Sequence, residues 1–240
     1  MADGEGERGA QAPELSWVLP LYRTSAHLEE LLTRISRTAN LMGIASEIVL
    51  VDDACPEGSG EAAERAALRF PSVQVVRLSQ NQGQDGALRA GLRLCRGQWA
   101  VLLDADLQDP PEAVADLWSK RGQGTEAVFA NRVGTYTTRA RHLTSKIYRR
   151  VASLIGGLPE GACLFVLLDR RLIDHVASTQ SEAVSILAAI AAGGGSLKVV
   201  PITRWPRPSG RSAYSSTRRA AKAFLSLWQM FLTRRAGRSL

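Results

Sequence analysis

The stretch from 101 to 112, VLLDADLQDPPE, runs an apolar triplet into Asp104 and Asp106 and then breaks at Pro110 and Pro111. A short apolar run bounded by a turn signal reads as the end of a buried strand, here Trp99 to Leu103. The same pattern recurs upstream. Leu15 to Pro20 is an apolar strand stopped by proline, Glu47 to Val51 is a strand ending at Asp52-Asp53, and Val73 to Leu78 is a strand followed by Asn81-Gln82-Gly83-Gln84. Between them, Ala26 to Asn40, Gly58 to Phe70 and Gly83 to Cys95 carry helical periodicity. Strands alternating with helices at this spacing predict an α/β fold, a mainly parallel Rossmann-like sheet with helices on both faces. In such sheets ligands bind beyond the carboxyl ends of the strands, where all of these polar clusters fall.

After Glu112 the pattern loosens. Ala127 to Arg132 reads as a strand, Arg139 to Leu154 as a basic helix, Ala162 to Leu168 as an edge strand, Glu182 to Ala192 as a helix and Leu197 to Ile202 as a last strand. Pro206 to Ser216 has loop composition, and Thr217 to Arg235 is an amphipathic helix with arginine at both ends. The expected organisation is a loose tail over residues 1–14, one domain over 15–216 and a basic C-terminal helix over 217–240.

With 45% hydrophobic and 22% charged residues, the 240-residue chain has the composition of a soluble globular protein. Its 30 basic and 23 acidic residues leave a charge of +7, concentrated in 132–150 and 204–235, which calls for an anionic partner. No zinc spacing or RNP motif points to nucleic acid. Three widely spaced cysteines fit a reducing compartment better than a disulfide framework. With no signal peptide and no apolar run near the ~20 residues that span a bilayer, a cytoplasmic protein is expected, at most peripheral at the membrane. The C-terminal helix can lie on an anionic membrane, dock on a membrane protein or pack on the sheet.

Carboxylates at i and i+2 of a strand end face one side while the strand persists, so Asp104 and Asp106 can share a hard cation, with Gln108 as a third oxygen donor. So few ligands suit Mg2+ or Mn2+ completed by substrate phosphates and water. Asp109-Pro110 reads as the N-cap and first turn of the next helix. Asp52-Asp53 admits two readings, a helix cap or a ligand group for a nucleotide.

Taken together, Leu19-Pro20-Leu21-Tyr22, Val51-Asp52-Asp53, Asn81-Gln82-Gly83 through Ala90-Gly91-Leu92, and Asp104 through Glu112 resemble the family 2 inverting glycosyltransferases of GT-A fold. Within that family they are similar to the dolichyl-phosphate and bacterial polyprenyl-phosphate branch. The resemblance implies a nucleotide-sugar donor, a divalent metal and single displacement at the anomeric carbon. It assigns Pro20 and Tyr22 to the base pocket, Asp52 and Asp53 to base or ribose, and Gln82, Gly83 and Ala105 to the donor. Asp104, Asp106 and Gln108 take the metal and diphosphate. Arg132 follows the next strand, Arg141, Ser145 and Lys146 face an acceptor phosphate, and Arg207, Ser212 and Tyr214 belong to a late RxxGxSxY loop closing on the diphosphate.

Four positions depart from that pattern. An Asp-Phe-Arg is replaced by Leu164-Phe165-Val166, a lysine by Ala213, a basic residue by Gln84 and an arginine by Leu187. Most belong to the acceptor side. The expected acceptor is a polyprenyl phosphate, which is already ionised because a phosphate's second pKa is about 6. The rival acceptor is a soluble hydroxyl compound, which requires a base such as Asp109, Glu160 or Glu182. A weakly catalytic nucleotide-sugar-binding subunit is the alternative of another class.

Overall fold

The computed structural model describes residues 12–122, 124–133, 157–179 and 184–205. Seven strands form one sheet in the order β3-β2-β1-β4-β6-β5-β7: β1 Leu15–Leu21, β2 Ser46–Asp52, β3 Val73–Arg77, β4 Trp99–Leu102, β5 Thr125–Val133, β6 Val166–Asp169 and β7 Ser196–Thr203. Six strands run one way and β6 runs against both of its neighbours, β4 and β5. The fold is thus the expected α/β sheet, mostly parallel but mixed.

Alternation along each strand divides the core in two. Trp17 and Leu19 of β1 face one layer with α1 (Leu28–Met42) and α2 (Ser59–Ala67), whereas Val18 faces the other with α3 (Gly83–Leu92). Helix α1 buries Leu28, Leu31, Leu32 and Ile35. It stops at Gly43, whose φ of 66° places it in the left-handed region that glycine tolerates. Helix α3 lies so close to the sheet that a Cβ on Gly91 would stand 2.4 Å from Val18 Cγ1.

Several expectations change. The run 162–168 is no edge strand: β6 sits inside the sheet, with Val166, Leu167 and Leu168 fully buried, and the edges are β3 and β7. A four-residue apolar strand gives no periodicity that distinguishes centre from edge, so only long-range pairing decides its place. The helix expected to follow Asp109-Pro110 is α4 (Val114–Ser119), entered through a 3-10 turn, and one helix was not anticipated, α5 (Arg170–Ser178). Asp169 caps α5 by accepting from Leu172 N–H at 2.9 Å. The helix expected over 182–192 is α6, Ile186–Gly193, capped by Ser185. The segments expected as the basic helix 139–154, the loop 206–216 and the C-terminal helix lie outside the described residues. Among the described residues no helix is long and apolar enough to cross a membrane.

Because six strands share a direction, the carboxyl ends of β1, β2, β4, β5 and β7 meet at one edge of the sheet. The opposite edge is closed by Glu47, buried at 4% exposure. Its carboxylate accepts from Ser16 Oγ at 2.7 Å, Arg96 N–H at 2.6 Å and Arg96 Nε at 2.8 Å. Burial alone pushes the Glu47 pKa up, but these bonds and the arginine charge outweigh it and hold the group below the ordinary carboxylate range. Its stabilisation is therefore complete above that range and is lost as pH falls through the lowered folded value. Glu47→Gln is expected to lower stability by about 2 kcal/mol at neutral pH. In urea titrations, the gap from wild type should narrow as acid protonates Glu47 in the wild-type protein.

Candidate active site

Strand β4 ends at Leu102, but Leu103 N–H still bonds Val18 carbonyl at 3.1 Å, so the next residues start from a fixed point on β1. From there Ala105 and Leu107 insert into the core at 3% and 2% exposure. Asp104, Asp106 and Gln108 are the half-buried residues between and beyond them. The i, i+2 spacing thus survives the end of the strand because apolar anchors, not sheet pairing, enforce the alternation. Leu107 takes a φ of 57° to do so. Asp106 Oδ1 accepts from Gln108 N–H at 3.1 Å, a local turn bond.

Each oxygen of Asp104 has a donor. Gln84 Nε2, on the first turn of α3, donates to Oδ1 at 2.5 Å, and Arg132 Nη2, near the end of β5, donates to Oδ2 at 3.3 Å. Burial pushes the Asp104 pKa above the ordinary carboxylate range, with Asp106 and Asp109 adding to the shift and Arg132 and Arg204 opposing it. A desolvated carboxylate among other carboxylates favours any cation that neutralises it. The donor set of two carboxylates and an amide is all oxygen and fits Mg2+ or Mn2+. Among the described residues no group of three or more His, Cys, Asp or Glu is gathered as a metal site. A hard cation here would draw its remaining ligands from substrate and water.

Asp109 is not the expected helix cap. The turn of 3-10 helix Pro111–Ala113 begins after Pro110 with no side-chain cap, while Asp109 is fully buried and holds Arg132. Arg132 Nε donates to Asp109 Oδ1 at 3.0 Å and Arg132 Nη2 bonds Asp109 Oδ2. Arg204, just beyond β7, stands 3.4 Å from Asp109 Oδ1. A buried carboxylate needs charge compensation more than a helix start needs a cap, so the arginines take it.

At the end of β2 neither acid caps α2, whose N-cap is Gly58 with no side-chain bond. Asp53 braces the following loop: its Oδ1 accepts from Gln82 N–H at 2.7 Å and its carbonyl accepts from Asn81 Nδ2 at 3.0 Å. Asp52, 1% exposed, accepts from Cys55 N–H at 3.2 Å and faces Arg77 Nε at 3.6 Å. Gly60 leaves the space for this pair, since a Cβ there would stand 2.5 Å from Asp52 Oδ2. Pro20 and Tyr22 lie half-buried at the end of β1, with Arg23 over the Tyr22 ring at 5.4 Å. Gly83 opens α3 with a φ of 74° and open space at its Cβ position.

The structure therefore brings Pro20, Tyr22, Asp52, Asp53, Gln82, Gly83, Asp104, Ala105, Asp106, Gln108 and Arg132 to one edge of the sheet. Arg141, Ser145, Lys146, Arg207, Ser212 and Tyr214 lie outside the described residues. Sequence reasoning missed Arg204 and the partnership of Gln84 with Asp104. The signal for Gln84 was its place one residue past Gly83; Arg204 carried none beyond following a strand. Of the departures, Val166 is fully buried and Leu164 and Leu187 pack against the core on the α3 side of the sheet, so these positions serve packing. Cys55, Cys95 and Cys163 are free thiols, as expected, and burial pushes Cys95 up to about 12.

The mixed α/β sheet is a fold shared with solved structures. Over residues 16–171 the sequence matches the family described as Glycosyl transferase family 2, and the chain belongs to that family. It is 31% identical over 209 residues to undecaprenyl-phosphate 4-deoxy-4-formamido-L-arabinose transferase of Pseudomonas aeruginosa, covering 85% of this chain and 61% of the relative. Against the transferase of that name from Salmonella paratyphi B it is 30% identical, covering 87% of this chain and 65% of the relative. The chain thus spans under two thirds of the length of these curated relatives. Two solved structures share the fold. Mannosyl-3-phosphoglycerate synthase from Rubrobacter xylanophilus superposes with a TM-score of 0.67 at 17% identity, covering 95% of this chain and 76% of that one. Glucosyl-3-phosphoglycerate synthase from Mycobacterium tuberculosis, in complex with Mn2+ and uridine-diphosphate-glucose, superposes at 0.63 and 18% identity, covering 92% and 79%.

Asp109→Asn removes the charge that holds two arginines beneath Asp104. It is expected to destabilise the protein by about 3 kcal/mol in chemical denaturation, whereas Gln84→Ala, which removes one donor at a half-exposed site, is expected to cost about 1 kcal/mol.

Proposed function

We propose that this chain is an inverting, metal-dependent transferase that moves a sugar from a nucleoside diphosphate to a polyprenyl phosphate. The observation that carries this reading is the run Asp104, Asp106 and Gln108, kept half-exposed by Ala105 and Leu107 and gathered with Asp52, Asp53 and Arg132 at the carboxyl edge. Supporting it are the family, the undecaprenyl-phosphate substrate in the names of the relatives, and the Mn2+ and uridine-diphosphate-glucose in the fold neighbour.

In this reading Asp104, Asp106 and Gln108 hold Mg2+ or Mn2+, which when bound neutralises charge on the departing diphosphate. Pro20, Tyr22, Asp52 and Asp53 hold the nucleoside, and the Asp53 brace keeps the Gln82-Gly83 turn open towards the donor. Arg207, Ser212 and Tyr214 act on the diphosphate, and Arg141, Ser145 and Lys146 on the acceptor phosphate. The acceptor oxygen attacks the anomeric carbon from the face opposite the diphosphate, so the C–O bond to the donor breaks as the new one forms and configuration inverts. A phosphate oxygen does this without a base. Of the expected bases for a soluble hydroxyl, Asp109 is fully buried and clasped by Arg132, which favours the lipid phosphate, whereas Glu160 is exposed and Glu182 lies outside the described residues. The donor expected from resemblance is a hexose, while the relatives' names carry an L-arabinose derivative, so both belong in a donor screen.

Nucleoside diphosphate release is expected with Mn2+ or Mg2+, to depend on added polyprenyl phosphate and to stop on chelation. Asp106→Ala is expected to lower turnover at least a hundredfold. Sugar transfer to a soluble hydroxyl compound, with none to the lipid phosphate, would overturn the acceptor assignment.

A further inference from the structure

Arg204 differs from the other arginine of the site in what it is bonded to. Arg132 is bonded through Nε and Nη2 to both oxygens of Asp109 and to Asp104. Arg204 stands 3.4 Å from the same Asp109, but that carboxylate already takes two bonds from Arg132, and the approach lacks hydrogen-bond geometry. Its Nε is buried and has no hydrogen-bond partner among the described residues, while the side chain as a whole is 30% exposed. An arginine carries five N–H donors in a planar fork suited to oxyanions, and a buried N–H left unbonded is costly.

The backbone beside Arg204 is held in place from two directions. Trp205 N–H donates to the Gln108 carbonyl at 2.8 Å, tying the end of β7 to the acidic loop itself. The Trp205 ring, 46% exposed, lies under the Arg34 guanidinium at 4.5 Å, and Arg34 is in turn forked onto Glu112 at 2.9 and 2.7 Å. One end of that clamp is α1 and the other is the turn after the acidic loop. Such anchoring exceeds what a second counter-ion for Asp109 requires, because the single arginine already satisfies both oxygens. It fixes the position of a charge beside a loop that carries three carboxylates.

We propose that Arg204 is an anion-binding residue of the site, its guanidinium donating to a phosphate oxygen of the substrate. The ligand chemistry is a phosphate monoester or diphosphate oxyanion, which the donor and the lipid acceptor both supply. The inference rests on the sugar-transfer reading given above and adds to it a residue that the family pattern does not assign.

The test is calorimetric binding of two probes to the full chain, inorganic pyrophosphate with Mn2+ for the donor side and farnesyl phosphate for the acceptor side. Arg204→Gln is expected to weaken one of them about tenfold or more with an unchanged melting temperature, and the probe affected tells which phosphate the arginine meets. Arg204→Lys, which keeps the charge but not the fork, is expected to fall between wild type and Arg204→Gln. Equal binding of both probes by wild type and Arg204→Gln overturns the inference and leaves the sugar-transfer reading standing. If Arg204→Gln unfolds, Arg204→Lys decides: wild-type affinity for both probes would make the residue a structural counter-ion and overturn the inference. Wild-type protein that binds neither probe would sink both readings together.

Discussion

The clasp of Asp109 by Arg132 ties the two halves of the site together. Asp109 closes the loop that follows β4, Arg132 sits near the end of β5, and β6 lies between those two strands in the sheet. A fully buried carboxylate is tolerable only with its charge compensated, so the loop and β5 must arrive in one relative position. Once they do, the remaining reach of Arg132 falls on Asp104. The acidic loop is then held by an ion pair at one end and by the Leu103 bond to β1 at the other.

That arrangement makes the site electrostatically expensive in a useful direction. Three carboxylates crowd a short loop, and the described arginines do not cancel them. Burial raises the Asp104 pKa because its charged form lacks solvent, which is the condition under which a bound cation gains most. Structure that is costly by itself and relieved by ligand belongs at functional sites, and the core beneath it absorbs the cost. Ala105 and Leu107 do so here, keeping their polar neighbours out of the interior.

The apolar residues where the family resemblance expects charge follow the same logic in reverse. Val166 begins the interior antiparallel strand and is fully buried, so a charge there would have to be compensated within the sheet. The carboxyl edge of the sheet, by contrast, accommodates its acids because each has a hydrogen-bond donor in reach: Gln82 N–H for Asp53, Cys55 N–H for Asp52, Gln84 for Asp104.

Local pattern alone carried the alternation of strands and helices through Leu102, since parallel strands buried on both faces leave near-continuous apolar runs that periodicity detects. It also carried the placement of Asp52, Asp53, Asp104 and Asp106 at strand ends, because side-chain spacing along a chain is a local property. Tertiary structure decided the rest. The interior position of β6 depends on pairing with β4 and β5, which are distant in sequence. The role of Asp109 turned on a competition between capping a turn next door and neutralising arginines that are distant in sequence, and Coulomb attraction in a dry interior outweighs a local hydrogen bond. Arg204 and Trp205 acquired meaning only when β7 returned beside β5 and set them against Asp109 and Gln108, a contact no local pattern encodes.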